Sequence, residues 1–214
     1  MAALLIASMG MAQAQLKISE VESSETSGSF AVSDWFELSN LGASPVNITG
    51  FKMDDNSDSF SLSVPMSGIT SIGAGESVVF FEVTGATPLT MQGFKDWWAP
   101  GLGSSAQIGT YSGAGVGLSS GGDGVNIFDS TGTQIDGVAF GAATTGTTFK
   151  FDNGAIGRSP TGLSQNGVNG AFTSGNGDIG SPGVNPVPEP SILALGCLGL
   201  TALVSLRRLK SRVN

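Results

Sequence analysis

The chain has 214 residues, a length for one domain with appendages at about 100–200 residues per domain. It carries 33 glycines, 40% hydrophobic and only 12% charged residues, which excludes a solvated disordered chain, and its glycines follow no triplet period, which excludes collagen. Histidine is absent, so Ser-His-Asp and Cys-His catalysis and His-ligated zinc are excluded, and residues 15–188 hold five cations against sixteen acids, a net −11 that argues against a nucleic-acid partner.

At the N-terminus, the apolar stretch Ala2–Ala12 followed by Ala12-Gln13-Ala14 has the form of a signal-peptide core and its A-x-A cleavage site, with Gln15 as the first mature residue and no positive n-region. Strand signals then dominate. Leu16–Val21, Trp35–Leu38 and Val46–Met53 are short apolar-rich runs, and Phe60-Ser-Leu-Ser-Val64 alternates throughout, with Phe60, Leu62 and Val64 on one face. Ser77–Val83 is nearly continuous in apolar residues and suits a central strand. Met91–Trp98 suits a turn or two of helix. Gly124–Asp129 and Gln134–Phe140 flank Ser130-Thr-Gly-Thr133 and predict a hairpin. Seven or so short strands with glycine-rich turns predict an all-β, immunoglobulin-like sandwich. From Gly154 to Pro186 the chain is rich in Gly, Asn, Ser and Pro and reads as closing loop and linker.

The C-terminus runs Val187-Pro-Glu-Pro-Ser191, then apolar Ile192–Leu206, then basic Arg207, Arg208, Lys210 and Arg212. Fifteen residues make about 22 Å of helix, short for a membrane span of about 20 residues, and the basic flank assigns that end to the cytoplasm. The single cysteine, Cys197, lies inside the apolar run, without a partner for an intrachain disulfide.

Among candidate sites, Asp34 and Glu37 flank Trp35 and Phe36. Phe36 and Leu38 share one strand face and Trp35 and Glu37 the other, which is either a surface patch or a strand with a partly covered outer face. Asp54, Asn56 and Asp58 place oxygens at alternate positions, as calcium loops do, but Ser59 and Pro65 stand where an EF-hand needs glycine and glutamate. An Asx-rich turn is the plainer reading, and no metal or other cofactor is expected. Gly121-Gly-Asp-Gly124 reads as a turn, lacking the lysine and helix of a phosphate loop. Trp97 and Trp98 either stack on sugar rings from an exposed loop or plug the open end of the sandwich.

Two resemblances follow from these residues. Pro188-Glu189-Pro190, the apolar run and the basic cluster resemble a PEP-CTERM sorting signal. That resemblance implies an exosortase-type membrane protease as partner, an inner-membrane-anchored precursor in a Gram-negative bacterium, and a final place at the cell surface or in the exopolysaccharide layer. Ile18-Ser-Glu-Val21, Asp34–Asn40, Val46–Lys52, Ile72–Val78, Leu118–Gly124 and Gln134–Val138, in that order, resemble the lamin tail domain over roughly residues 16–160. The segment Thr84–Val116 departs from that pattern. The family implies an immunoglobulin-like sandwich without a shared catalytic set. The expected organisation is a signal peptide at 1–14, the sandwich at 15–160, closing loop and linker at 161–186, and the sorting signal at 187–212, with a single transmembrane helix at 192–206. The expected function is a non-catalytic, exported surface or matrix protein. The alternatives are a carbohydrate- or calcium-binding module and, behind it, a carboxylate-dependent hydrolase. N-terminal sequencing of exported material is expected to start at Gln15; a retained Met1–Ala14 would contradict the cleavage site.

Overall fold

The structure, a computed structural model, describes residues 16–84, 89–99 and 101–184. In chain order the strands are β1 (Leu16–Glu22), β2 (Trp35–Asn40), β3 (Val46–Asn47), β4 (Lys52–Asp54), β5 (Val64–Pro65), β6 (Ser71–Ile72) and β7 (Ser77–Val83). After the helix α1 (Met91–Trp97) come β8 (Ile108–Ser112), β9 (Asp123–Phe128), β10 (Gln134–Phe140), β11 (Phe149–Lys150), β12 (Gly162–Leu163), β13 (Phe172–Thr173) and β14 (Ile179–Gly180). A six-stranded sheet in the order β12-β11-β1-β2-β7-β8 faces a four-stranded sheet in the order β10-β9-β4-β5. Pairing in both is antiparallel except between β7 and β8. Inward side chains of the two sheets, among them Ile18, Val21, Phe36, Leu38, Val78 and Phe80 from one and Met53, Val125, Ile127 and Val138 from the other, form one buried core. The all-β sandwich expected from the sequence is the observed architecture.

One irregularity positions everything on the outer face of the larger sheet. The register of β1 against β2 shifts between Ile18 and Glu20. Strict alternation from Ile18 would turn Glu20 into the core. The extra residue, Ser19, instead directs Glu20 outward and returns Val21 to the core. Glu20 is thereby paired beside Glu37 of β2. A second shift lies in β10, between Gln134 and Asp136. The buried Asp136 closes the side where β10 meets β1: it accepts the Ile18 amide at 2.8 Å and two Arg158 hydrogen bonds at 2.8 and 2.9 Å. Lys17 adds an ion pair at 3.2 Å.

The Ser130–Thr133 hairpin forms as expected, its turn held by Asp129 Oδ1, which accepts from the Thr131 and Thr133 amides. Three expectations fail. Phe60–Val64 is a turn rather than a strand up to Val64. Its serines bind the local backbone, with the Ser63 hydroxyl donating to the Phe60 carbonyl at 2.7 Å, an alternative to a strand ladder. Leu62 is left 62% exposed. Val46–Met53 is two strands, divided at Gly50, whose φ of 80° only glycine takes readily. The segment expected as closing loop and linker from 161 is part of the packed domain through residue 184. β12 extends the six-stranded sheet, and Asp178 and Ser181 are fully buried.

A chain ended at residue 160 would lose Ser164, Asp178, Ser181 and Gly183, the partners of buried Glu20, Glu37 and Trp97. Hydrogen bonds to charged groups contribute about 1.5–3 kcal/mol each, and about 1 kcal/mol moves the midpoint by about 2–4 °C at this size. Circular dichroism melts are therefore expected to show residues 16–184 unfolding cooperatively, and residues 16–160 melting more than about 10 °C lower or without a transition.

Candidate functional site

Alternation along β2 and β7 turns Trp35, Val79 and Phe81 onto the outer face of the six-stranded sheet. Helix α1 lies over them. Its N-cap is Thr90, whose hydroxyl accepts the Gly93 amide at 2.9 Å. Phe94, Trp97 and Trp98 stand at helical spacing and descend onto the strands. Trp35 meets Trp98 edge-on at 5.4 Å between ring centroids, Phe81 stacks on Phe94 at 5.7 Å, and Trp97 lies 5.3 Å from Trp98. All three tryptophans are 0% exposed. Trp35 Nε1 donates to Glu22 and Trp97 Nε1 to Asp178, both at 2.7 Å. Stacking of Trp97 and Trp98 on sugars is therefore overturned, and so is a plug at the sandwich end: they form a second core on the outer face. The Trp35–Glu37 surface patch is overturned with them, because both side chains are sealed.

The other half of this face is polar and equally buried. Hydroxyls of Ser19, Ser39 and Ser77 run across three strands at 2.8 and 2.6 Å, and Ser19 also donates to Glu37 at 2.5 Å. Glu37 accepts the Gly183 amide at 2.6 Å. Glu20 accepts the Ser181 amide and hydroxyl at 2.8 and 2.6 Å, the Ser164 hydroxyl at 3.1 Å and the Thr148 hydroxyl, and pairs with Lys150 at 3.3 Å. Asp178 accepts from the Thr26 amide and the Ser174 hydroxyl besides Trp97. Burial, and after it the Glu20 charge, pushes the Glu37 carboxyl up to about 8. Glu20 and Glu37 thus bind the chain's own last packed segment, and Asp178 of that segment binds back to Thr26 and Trp97.

A different carboxyl cluster lies at the mouth between the sheets. Asp34 precedes β2 in phase with Phe36, Glu82 follows Phe80 on β7, and Glu25 comes from the loop after β1. The Asp34 carboxyl is hydrogen-bonded to both Glu25 and Glu82. Tyr111, beside Glu82 in the β7–β8 register, faces the same three acids. Burial, followed by the Glu25 hydrogen bond and charge, raises Asp34 to about 8. Burial, followed by Asp34, raises Glu82 to about 7. Burial also raises Glu25.

The family model for the lamin tail domain matches residues 10–142, more than half of the chain. The chain belongs to the lamin tail domain family. No curated protein sequence matches it. In this lamin tail domain Asp178 and the groups between residues 148 and 183 that Glu20 and Glu37 bind lie beyond the matched segment, yet they complete its outer face.

The remaining expected site residues separate clearly. Asp54 is buried and accepts the Ser57 hydroxyl and the Ser59 amide, both at 2.7 Å. The Asn56 amide donates to Asp123 at 3.1 Å, and Asp58 accepts from Gln134 at 2.8 Å. Asp54 Oδ2 thus holds a turn, and the Asp58 side chain meets the neighbouring hairpin. Among the described residues no three His, Cys, Asp or Glu side chains are disposed to hold a metal ion. Ala12, Ala14, Gln15, Pro188, Glu189, Pro190, the apolar run 192–206, and Arg207, Arg208, Lys210 and Arg212 lie outside the described residues. Among the described residues no helix is long and apolar enough to cross a membrane. Of these acids the sequence singled out only Asp34 and Glu37, as flanks of Trp35 and Phe36; Glu20, Glu25, Glu82 and Asp178 were missed, because acids far apart carry no pairing signal. The Phe94, Trp97, Trp98 spacing was the one available sign of a buried helix face.

Glu37, Asp34 and Glu82 all have folded-state values above the ordinary carboxyl range. The folded state therefore holds more protons than the unfolded chain between about pH 4.5 and about pH 8, and their contribution to stability is full below that window and lost across it. Thermal melts are expected to show a higher Tm near pH 5 than near pH 8.5, with Glu37→Gln reducing the slope; a Tm that rises across this window would contradict the burial of these acids.

Proposed function

We propose that the chain is an exported, non-catalytic surface or extracellular-matrix protein. An exosortase-type system processes it at Pro188-Glu189-Pro190, and it serves a structural or adhesive role in the envelope or exopolysaccharide layer of a Gram-negative bacterium. The observation that carries this reading is the sequence order after the last described residues: Pro188-Glu189-Pro190, the apolar run 192–206 and the basic cluster. Ser181 and Gly183 are still clasped by Glu20 and Glu37, and the Pro-rich segment begins directly after them. Residues 185–191 bridge at most about 25 Å when extended, so a helix beginning at Ile192 would hold the sandwich close to the bilayer. A proline-flanked acid in that bridge cannot continue a helix or a sheet, which keeps it accessible to a membrane enzyme. The basic residues after Leu206 stay on the cytoplasmic side while the acidic body is exported.

The non-catalytic reading draws support from the engagement of the acids. Glu20 and Glu37 lie side by side on adjacent strands, the arrangement a hydrolase would need, but both are 0% exposed and covered by the chain's own segment. A substrate has no access to them unless that segment leaves.

In a host with the sorting enzyme, the released protein is expected to end near residues 188–191 by mass spectrometry. Glu189→Ala is expected to leave export intact and trap the uncut form in the membrane fraction. A wild-type chain that keeps Cys197 and the basic tail in its final location would make this a plain membrane anchor.

A further inference from the structure

We propose that the mouth cluster of Glu25, Asp34, Glu82 and Tyr111 is a binding site for a primary ammonium group on an external ligand. This inference does not depend on the sorting signal. It starts from what the cluster lacks. Among the described residues the ion pairs go to Asp136, Glu20 and Asp152, and none reaches these three carboxyls. The acids contributed by neighbouring elements only add to the negative field: Glu22 at the end of β1, Asp123 at the start of β9, and Asp178 before β14.

Within the cluster two buried polar atoms have no hydrogen-bond partner. One is the Tyr111 hydroxyl, on a side chain only 1% exposed; the other is Glu25 Oε1. An unpaired buried hydroxyl is an unfavourable arrangement that a bound group can relieve. Tyr111 is held from behind by Phe36, at 5.6 Å between ring centroids, so the phenol cannot swing out to find water without breaking core packing. Glu82 is confined by Gly113, whose missing side chain is the space that the carboxyl occupies. Glu25 and Asp34 form a half-buried rim, and Glu82 and Tyr111 form a buried floor. A ligand approaches from solvent and finds its partners already fixed.

The chemistry selects among cations. Among the described residues no three His, Cys, Asp or Glu side chains converge closely enough to hold a metal ion, whose oxygen ligands stand at about 2.3–2.6 Å for calcium, whereas an ammonium nitrogen reaches its carboxylate acceptors at about 2.7–2.9 Å. An ammonium offers three N–H donors on one compact charge, one for each carboxyl, whereas a guanidinium presents a flat fork that suits one carboxylate edge. Without ligand, the acids share protons along the hydrogen bonds through Asp34. An entering ammonium supplies the positive charge those protons supplied, and they leave to solvent. Binding therefore releases protons and tightens as pH rises. The acidic body assists the approach of any polycation.

Free polyamines and de-acetylated amino-sugar chains carry the same group, and calorimetry separates them. The full-length chain in detergent micelles is titrated with 1,5-diaminopentane, with a glucosamine oligomer, with the N-acetylated form of that oligomer, and with calcium chloride. Both amine-bearing probes are expected to bind near neutral pH and to release protons from the cluster, measured as buffer-dependent heat, and the diamine, which stays an ammonium throughout, to bind at least about tenfold tighter near pH 8.5 than near pH 5.5. Glu25→Gln and Tyr111→Phe, each checked for an unchanged circular dichroism spectrum, are expected to weaken them, Glu25→Gln by about tenfold or more. Binding by the glucosamine oligomer alone identifies an amino sugar as the ligand, and binding by the diamine as well identifies the ammonium alone as sufficient. Equal binding of the N-acetylated oligomer overturns the proposal. So does calcium binding that Glu25→Gln abolishes, or amine binding that neither variant nor pH alters, or no binding by either amine.

Discussion

A carboxylate removed from water costs several kcal/mol unless its oxygens are fully hydrogen-bonded, and Glu20 imposes that requirement on the outer layer of this domain. It is 0% exposed on a strand that forms early in the chain. Its partners, Thr148, Lys150, Ser164 and Ser181, all come from the last part of the packed chain. The bulge at Ser19 that turns Glu20 outward therefore does more than correct a register. It creates a buried acid that only the residues beyond the hairpin can satisfy, and so ties the end of the domain to its first strand.

The same logic recurs at two other places. On the aromatic half of the outer face, Asp178 receives Trp97 Nε1, so a side chain of α1 and a residue just before β14 depend on one another. At the edge where the sheets approach, buried Asp136 gathers Arg158, Lys17 and the Ile18 amide. In each case one acid collects donors from distant segments, and the apolar area packed around it stabilises the whole while the acid specifies which segments meet. A domain with no disulfide to cross-link it is held together in this way.

The mouth cluster stands outside this pattern, which is what gives it functional interest. Glu20, Glu37 and Asp178 have amide, hydroxyl, indole or lysine donors. Glu25, Asp34 and Glu82 have chiefly each other, and the Tyr111 hydroxyl beside them has no partner. Acids satisfied by the chain make structure; acids held together without a cation make a place for one. This domain thus has a sealed outer face that retains its last packed segment and, at its mouth, the cluster proposed above to take a ligand.

Much of the architecture was legible in the sequence, because strands leave a local trace. Ser77–Val83 appears with the bounds its apolar run predicted, the Ser130–Thr133 hairpin follows from its flanking strands and glycine, and six ordered motifs pointed to the lamin tail family that the chain belongs to. Local patterns misled where a side chain had a nearer competitor. The serines around Phe60–Val64 bind their own backbone, and Gly50 breaks an apolar run that periodicity alone would keep whole. What tertiary structure decided was destination. Trp97 and Trp98 read equally as exposed anchors or as packing, and only the placement of α1 over β2 and β7 buries them. The Gly- and Asn-rich stretch beyond residue 160 has no periodicity and looked like a tether, because what holds it is a set of hydrogen bonds to acids more than a hundred positions earlier. Sequence records the period of a strand, which is a property of neighbours; it does not record which distant donor will satisfy a buried charge.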